Sequence, residues 1–166
     1  MYCYFTRAEA LAAKLNRIAP ENTVEQKVNL PLIHSIMDRQ RGNPSGAADL
    51  LIQSEQYRHT LDVPYRLGQA YLASNQPAKA AAQFRMVLDD RGAGWWQVYA
   101  PLAQLGLARA YSAQGDREKT RKAYDDFFAM WKDADPDIPI LRQAKAEYRK
   151  LSASASVGAS APGKKQ

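Results

Sequence analysis

Apolar residues recur along this chain at intervals of three and four rather than two, and turn-forming residues interrupt them at short, regular distances. That periodicity predicts helices throughout. The first should begin after Thr6, whose hydroxyl can accept from exposed backbone amides while Glu9 reaches back, and should end before Pro20. Leu11, Leu15 and Ile18 form its expected buried stripe. A second helix is expected from about Val24 to Arg41, capped by Asn22 or Thr23, with Pro31 removing one donor and kinking or restarting it. The turn "GNPSG" leads into a short partner helix over 47–53. Helices are then expected over 64–74, 77–90, about 95–114 and 116–131, separated by "SNQP", by "RGAG" and by "QGD". A last helix should start with Asp137 as its N-cap and turn Ile138, Leu141, Tyr148 and Leu151 inward. The Ser/Ala-rich basic stretch 152–166 has little to bury and is expected to be disordered, leaving 1–151 as one helical domain.

"LGQAYLASNQPAKAAAQF", residues 67–84, is echoed by "LARAYSAQGDREKTRKAY", residues 107–124. Aligning the turns puts Gly42, Asn75 and Gly115 in register. Gly68 then matches Ala108, Tyr71 matches Tyr111, Ala80 matches Thr120 and Phe84 matches Tyr124, with Ser35, Ala47 and Leu51 in comparable places of an earlier unit. Each matched position is a packing position: small residues let antiparallel helices approach, and large ones fill the grooves beside them. Polar positions drift instead, Gln69 against Arg109 and Gln83 against Ala123. A duplicated active site would show the opposite, so the repeat reads as structural.

The pattern small-x-x-Tyr, turn, small-x-x-x-aromatic resembles the tetratricopeptide repeat (TPR), whose period is about 34 residues. The first turn spacing is 33 residues and the second 40, the excess lying in "DDRGAGWWQVYAP". The resemblance implies an all-α fold, a TPR-like α-α superhelix of about three stacked antiparallel hairpins with a C-terminal capping helix. "LARAYSAQGD" followed by "AYDDFFAMWKDADPDIPILRQAKAEYRKL" is similar to the C-terminal TPR region of bacterial eukaryote-like serine/threonine kinases and related regulators, which implies a docking or sensory module of a signalling system. Kinase activity does not carry over, because a glycine-rich phosphate loop, an HRD loop and a DFG motif are all missing.

In such repeats the first helix of each pair lines a concave groove. Read onto this chain, the lining includes Asn29, Leu32, Ile36 and Arg39, then Asp62, Tyr65, Gln69 and Leu72, then Leu102, Leu105, Arg109 and Ser112. The family's carboxylate clamp is not matched, since Tyr65, Gln69, Ala73, Leu105 and Arg109 occupy that region. An apolar helix or extended peptide is the expected ligand. Asn29, Arg39, Tyr65, Gln69 and Arg109 are the candidate contacts, joined by Trp95 and Trp96, which either anchor a partner or pack within the insertion.

Charge and chemistry narrow the function further. The formal net charge is +6, but residues 1–140 carry 17 Lys+Arg against 16 Asp+Glu and residues 141–166 carry 6 against 1, so the body is nearly neutral and nucleic acid is not an expected partner. "DADPD", 133–137, starts like a calcium loop, yet Ile138 and Ala144 stand where that loop needs glycine and glutamate. His34 and His59 lie on different elements without metal-ligand spacing, and Cys3, the single cysteine, has no evident base partner. The expected protein is therefore not an enzyme and takes no cofactor. It binds a protein or peptide, with a homodimer or an apolar small-molecule pocket as alternatives, and makes no membrane contact of its own. A soluble chain is expected, its compartment left open between the cytoplasm, which is favoured, and an extracytoplasmic space if the sequence follows a membrane span.

Overall fold

The computed structural model describes residues 2–57, 63–90 and 96–158, with the side chains of 2–4, 96–98 and 152–158 excluded. All regular structure among them is helical. The helices are α1 (Tyr2–Ile18), α2 (Leu30–Gln40, continuing a π-turn at Glu25–Asn29), α3 (Pro44–Ile52), α4 (Val63–Ala73), α5 (Pro77–Asp89), α6 (Trp96–Ala113), α7 (Arg117–Met130) and α8 (Pro139–Gly158). Each packs on the next along the chain from α1 to α8, and α4 also touches both α2 and α6. No described helix is long and apolar enough to cross a membrane.

The aligned turns share one geometry. Gly42, Asn75 and Gly115 have φ of 83°, 57° and 76°, the positive values found among the described residues. At each turn the following amide returns to a carbonyl five residues back: Asn43 to Asp38, Gln76 to Tyr71, Asp116 to Tyr111, at 2.9, 2.8 and 3.1 Å. The positive-φ residue itself donates to Arg39, Leu72 or Ser112. These are three Schellman motifs, and they need a residue tolerant of left-handed backbone, which glycine and asparagine supply. Asn43 and Asp116 then cap α3 and α7, accepting from the amides of Gly46 and Lys119.

Pro31 sets the shape of the second helix. Lacking an N–H and crowding the carbonyl four residues earlier, it disturbs the helical ladder at Lys27. The backbone widens into the π-turn, with the Leu30 amide donating to the Glu25 carbonyl. The Lys27 carbonyl is satisfied from outside, by the Ser54 hydroxyl at 2.6 Å, and Ser54 is wholly buried. A proline on one helix is thus compensated by a serine after the next.

Four sequence expectations differ from the structure. Thr6 is inside α1 rather than its cap, and Glu9 pairs with Arg41 at 2.6 Å instead of reaching back. Ala12 is the buried residue among the described side chains of α1, whereas Leu11 and Ile18 are 58% and 70% exposed. Two members of the expected stripe therefore face solvent, and only Leu15 is partly buried. Asp137 is not the cap of α8; its amide donates to the Asp135 carboxylate, and α8 starts two residues later at Pro139. α8 also runs past the boundary expected after Leu151.

The core forms two clusters. One joins α2 through α6 around Leu51, Leu67, Phe84 and Val87, and the other joins α6, α7 and α8 around Leu105, Tyr124, Phe127 and Ala144, with Tyr111 packed against both. Phe84 lies where α4 and α6 both lack a side chain. A Cβ added at Gly68 or Gly106 would sit 2.7 or 2.5 Å from its ring.

Two stability outcomes follow. Gly106→Ala should cost roughly 1–3 kcal/mol by overpacking, and Phe84→Leu in the same chain should recover part of that loss in urea unfolding. Ser54→Ala should cost about 1–3 kcal/mol by stranding the Lys27 carbonyl. That loss should shrink when Pro31 is also changed to Ala, because the restored amide can take over the carbonyl.

Candidate functional site

The first helices of the three hairpins, α2, α4 and α6, supply the face on which the sequence places a ligand. Leu32, Tyr65 and Leu105 are buried and belong to the scaffold. Ile36, Arg39, Gln69, Leu72 and Leu102 are partly exposed, and Ser112 is exposed. Asp62 and Trp95 lie outside the described residues; Trp96 opens α6, its side chain undescribed.

Ile36 and Arg39 of α2 share a narrow crevice with Arg66 and Ala70 of α4. Arg66 then reaches α6, donating to the Tyr99 hydroxyl at 3.5 Å with its guanidinium 5.6 and 5.9 Å from the ring centres of Tyr65 and Tyr99. Tyr65 and Tyr99 contact each other, ring centres 4.9 Å apart, and Tyr65 also meets Phe84 at 6.1 Å. Arg39, Arg66 and Tyr99 thus connect three successive first helices. Arg66 and Tyr99 were absent from the groove read off the sequence, although one cation within the apolar "VPYRLGQAYLA" could have signalled Arg66.

The other expected contacts are tied down locally. Asn29 donates to Glu25 across one helical turn at 2.9 Å. Gln69 donates to the Tyr65 hydroxyl at 2.8 Å, while its own carbonyl oxygen is buried without a hydrogen-bond partner. Arg109 faces α8 and grips Glu147 with two parallel bonds, both 3.0 Å.

Glu147 gathers four donors: both from Arg109, the Tyr124 hydroxyl at 2.8 Å and the Gln143 amide at 2.9 Å. Burial, the largest single influence, opposes its charge, but the hydrogen bonds from Arg109, Tyr124 and Gln143 and the Arg109 charge together outweigh it and hold the carboxyl below its ordinary 4.5. Tyr124 is pushed well above the usual phenol range, first by its own burial and then by the adjacent carboxylate. The cluster borders an open depression of about 510 Å³ that also includes Ser112 and Lys150. Arg109 is therefore a strut between α6 and α8. A second depression, of about 480 Å³, separates α1 from α2 and includes Asn16, His34 and Asp38. Among the described residues, no three His, Cys, Asp or Glu side chains come together as metal ligands would.

Because the folded-state value of Glu147 is depressed, its contribution to α8 docking is complete above the unfolded value near 4.5 and is lost as pH falls through the folded value. The melting-temperature advantage of the natural protein over Glu147→Gln should be constant from neutrality to about pH 5 and should shrink in more acid solution.

Models of known protein families, curated proteins and solved structures were compared with this chain, and none matches it.

Proposed function

We propose that this chain is a non-catalytic protein-interaction module of a regulatory or signalling system. A TPR-like stack of hairpins presents the face of α2, α4 and α6 to an extended peptide or helix of a partner. The observation that carries this reading is the division of side chains on those helices. The positions matched between repeats are used up in packing, whereas Ile36, Arg39, Gln69 and Leu102 keep exposed area on adjoining helices. A rigid frame with variable groups along one face suits recognition of an extended ligand. Its mixture of aliphatic and cationic groups suits a peptide carrying apolar side chains and at least one carboxylate.

Peptides selected from a displayed random library against the whole chain test the reading. Arg39→Glu and Leu102→Ser should each weaken the selected peptides about tenfold or more, while Met130→Ser, on exposed surface elsewhere, should not. Selected peptides that bind both groove variants as well as the natural protein would place the ligand on another surface.

A further inference from the structure

The outward face of α1 has a composition that the other end of the array lacks. On α8 the exposed positions include Arg142, Gln143, Lys145, Arg149 and Lys150, a polar face suited to end a stack of helices. On α1 the exposed face carries Leu11 at 58% and Ile18 at 70% exposure, with the partly exposed Leu15 between them. These three follow a four-then-three spacing, and at 100° per residue they span an arc of only about 60°.

That arc decides what can cover the face. A helix lying in a lipid surface buries a broad apolar face, whereas a narrow seam at heptad spacing is the stripe taken by one packed helix. Arg7 and Lys14 flank the seam on one side, and Arg17 lies beyond them; all three are exposed. None of them takes part in an ion pair among the described residues, and the one acid of α1, Glu9, is taken by Arg41. The flank is uniformly cationic. A second copy docked antiparallel about Leu11 would bring Arg7 of each chain close to Lys14 of the other, and like charges at flanking positions disfavour that pairing.

We propose that α1 is a docking seam for a single amphipathic helix of another protein, one whose apolar ridge is bordered by acidic residues. Leu11, Leu15 and Ile18 receive the ridge, and Arg7 and Lys14 select its carboxylates. This surface is separate from the face of α2, α4 and α6, so either can fail without the other.

The test uses the whole chain and a fluorescein-labelled three-heptad peptide with leucine at its core positions and glutamate at its flanks, set against the same peptide with lysine flanks. The glutamate peptide should bind saturably and more weakly as salt rises. Leu11→Gln with Ile18→Gln should lower its affinity about tenfold or more with the circular dichroism spectrum unchanged, because both residues are already exposed. Arg7→Glu with Lys14→Glu should reverse the preference between the two peptides. Equal binding of both peptides, or binding indifferent to the Leu11/Ile18 variant, overturns the proposal. So does a homodimer in light scattering that this variant abolishes, which would assign the seam to a second copy. Co-sedimentation with phosphatidylserine–phosphatidylcholine vesicles, lost in the variant and unaccompanied by peptide binding, would assign it to a membrane.

Discussion

The Phe84 ring, held between two helices that both present glycine to it, is the contact on which the array depends. Phe84 belongs to α5 but fills the space between α4, through Gly68, and α6, through Gly106. A helical hairpin has two faces to bury and only one partner helix within itself, so an array is stable only where one hairpin closes on the next. Here that closure is one aromatic side chain and two absent ones. Because the ring lies close against the backbone of both helices, the site has little freedom to relax. The next hairpin meets the same demand with Tyr124, clustered with Ala108 of α6 and Ala144 of α8. Its hydroxyl adds what phenylalanine cannot, a hydrogen bond to Glu147.

This also explains which parts of the fold were legible in the sequence. The turns were legible because a left-handed residue is hard to replace by anything but glycine or asparagine, so Gly42, Asn75 and Gly115 mark the register directly. The small and large packing positions were legible because they recur in kind at matched places. The burial of α1 was not. Periodicity shows that a helix has an apolar stripe but not which neighbour it meets, and α1 uses Ala12 for the short-range contact while Leu11 and Ile18 face outward. The compensation of Pro31 by Ser54 was equally hidden, since a hydroxyl 23 residues away along the chain carries no local mark of its role. Of the face proposed for a ligand, the helices that form it and the partial exposure of Arg39 were readable. That Tyr65 is buried and Arg109 bonded to Glu147 depends on the long-range placement of Tyr99 and α8.

The long turn spacing has a structural product. α4 begins five residues before Gly68, whereas α6 begins twelve before the matching Ala108. The added length is about two helical turns at the start of α6, and it holds Tyr99. From there Tyr99 reaches back over Tyr65 and Arg66, tying the third hairpin to the second and extending the Phe84 contact through Tyr65. The insertion thus adds a second joint and places an aromatic hydroxyl on the face of the first helices. Scaffold and site share that extension.

The joints along the array differ in kind, and so they differ in how they yield. Between α2 and α7 they are mainly apolar, with Tyr111 in contact with both clusters and single polar bonds such as Gln104 to the Ala123 carbonyl crossing them. α8 combines apolar contacts with a carboxylate that takes four hydrogen bonds, an arrangement that is strong while charged and sensitive to acid. α1 is held by less. Ala12 provides its buried contact, and one arginine, Arg41, meets both the Glu9 carboxylate and the Phe5 ring, the latter at 5.4 Å. That ion pair is about half exposed on each side, where water and salt weaken it. Local opening begins where buried apolar contact is least. α1 can therefore shift against α2 while the turns, the Phe84 contact and the face of the first helices stay as they are, so that a helix packing onto its outward stripe need not deform the hairpins behind it.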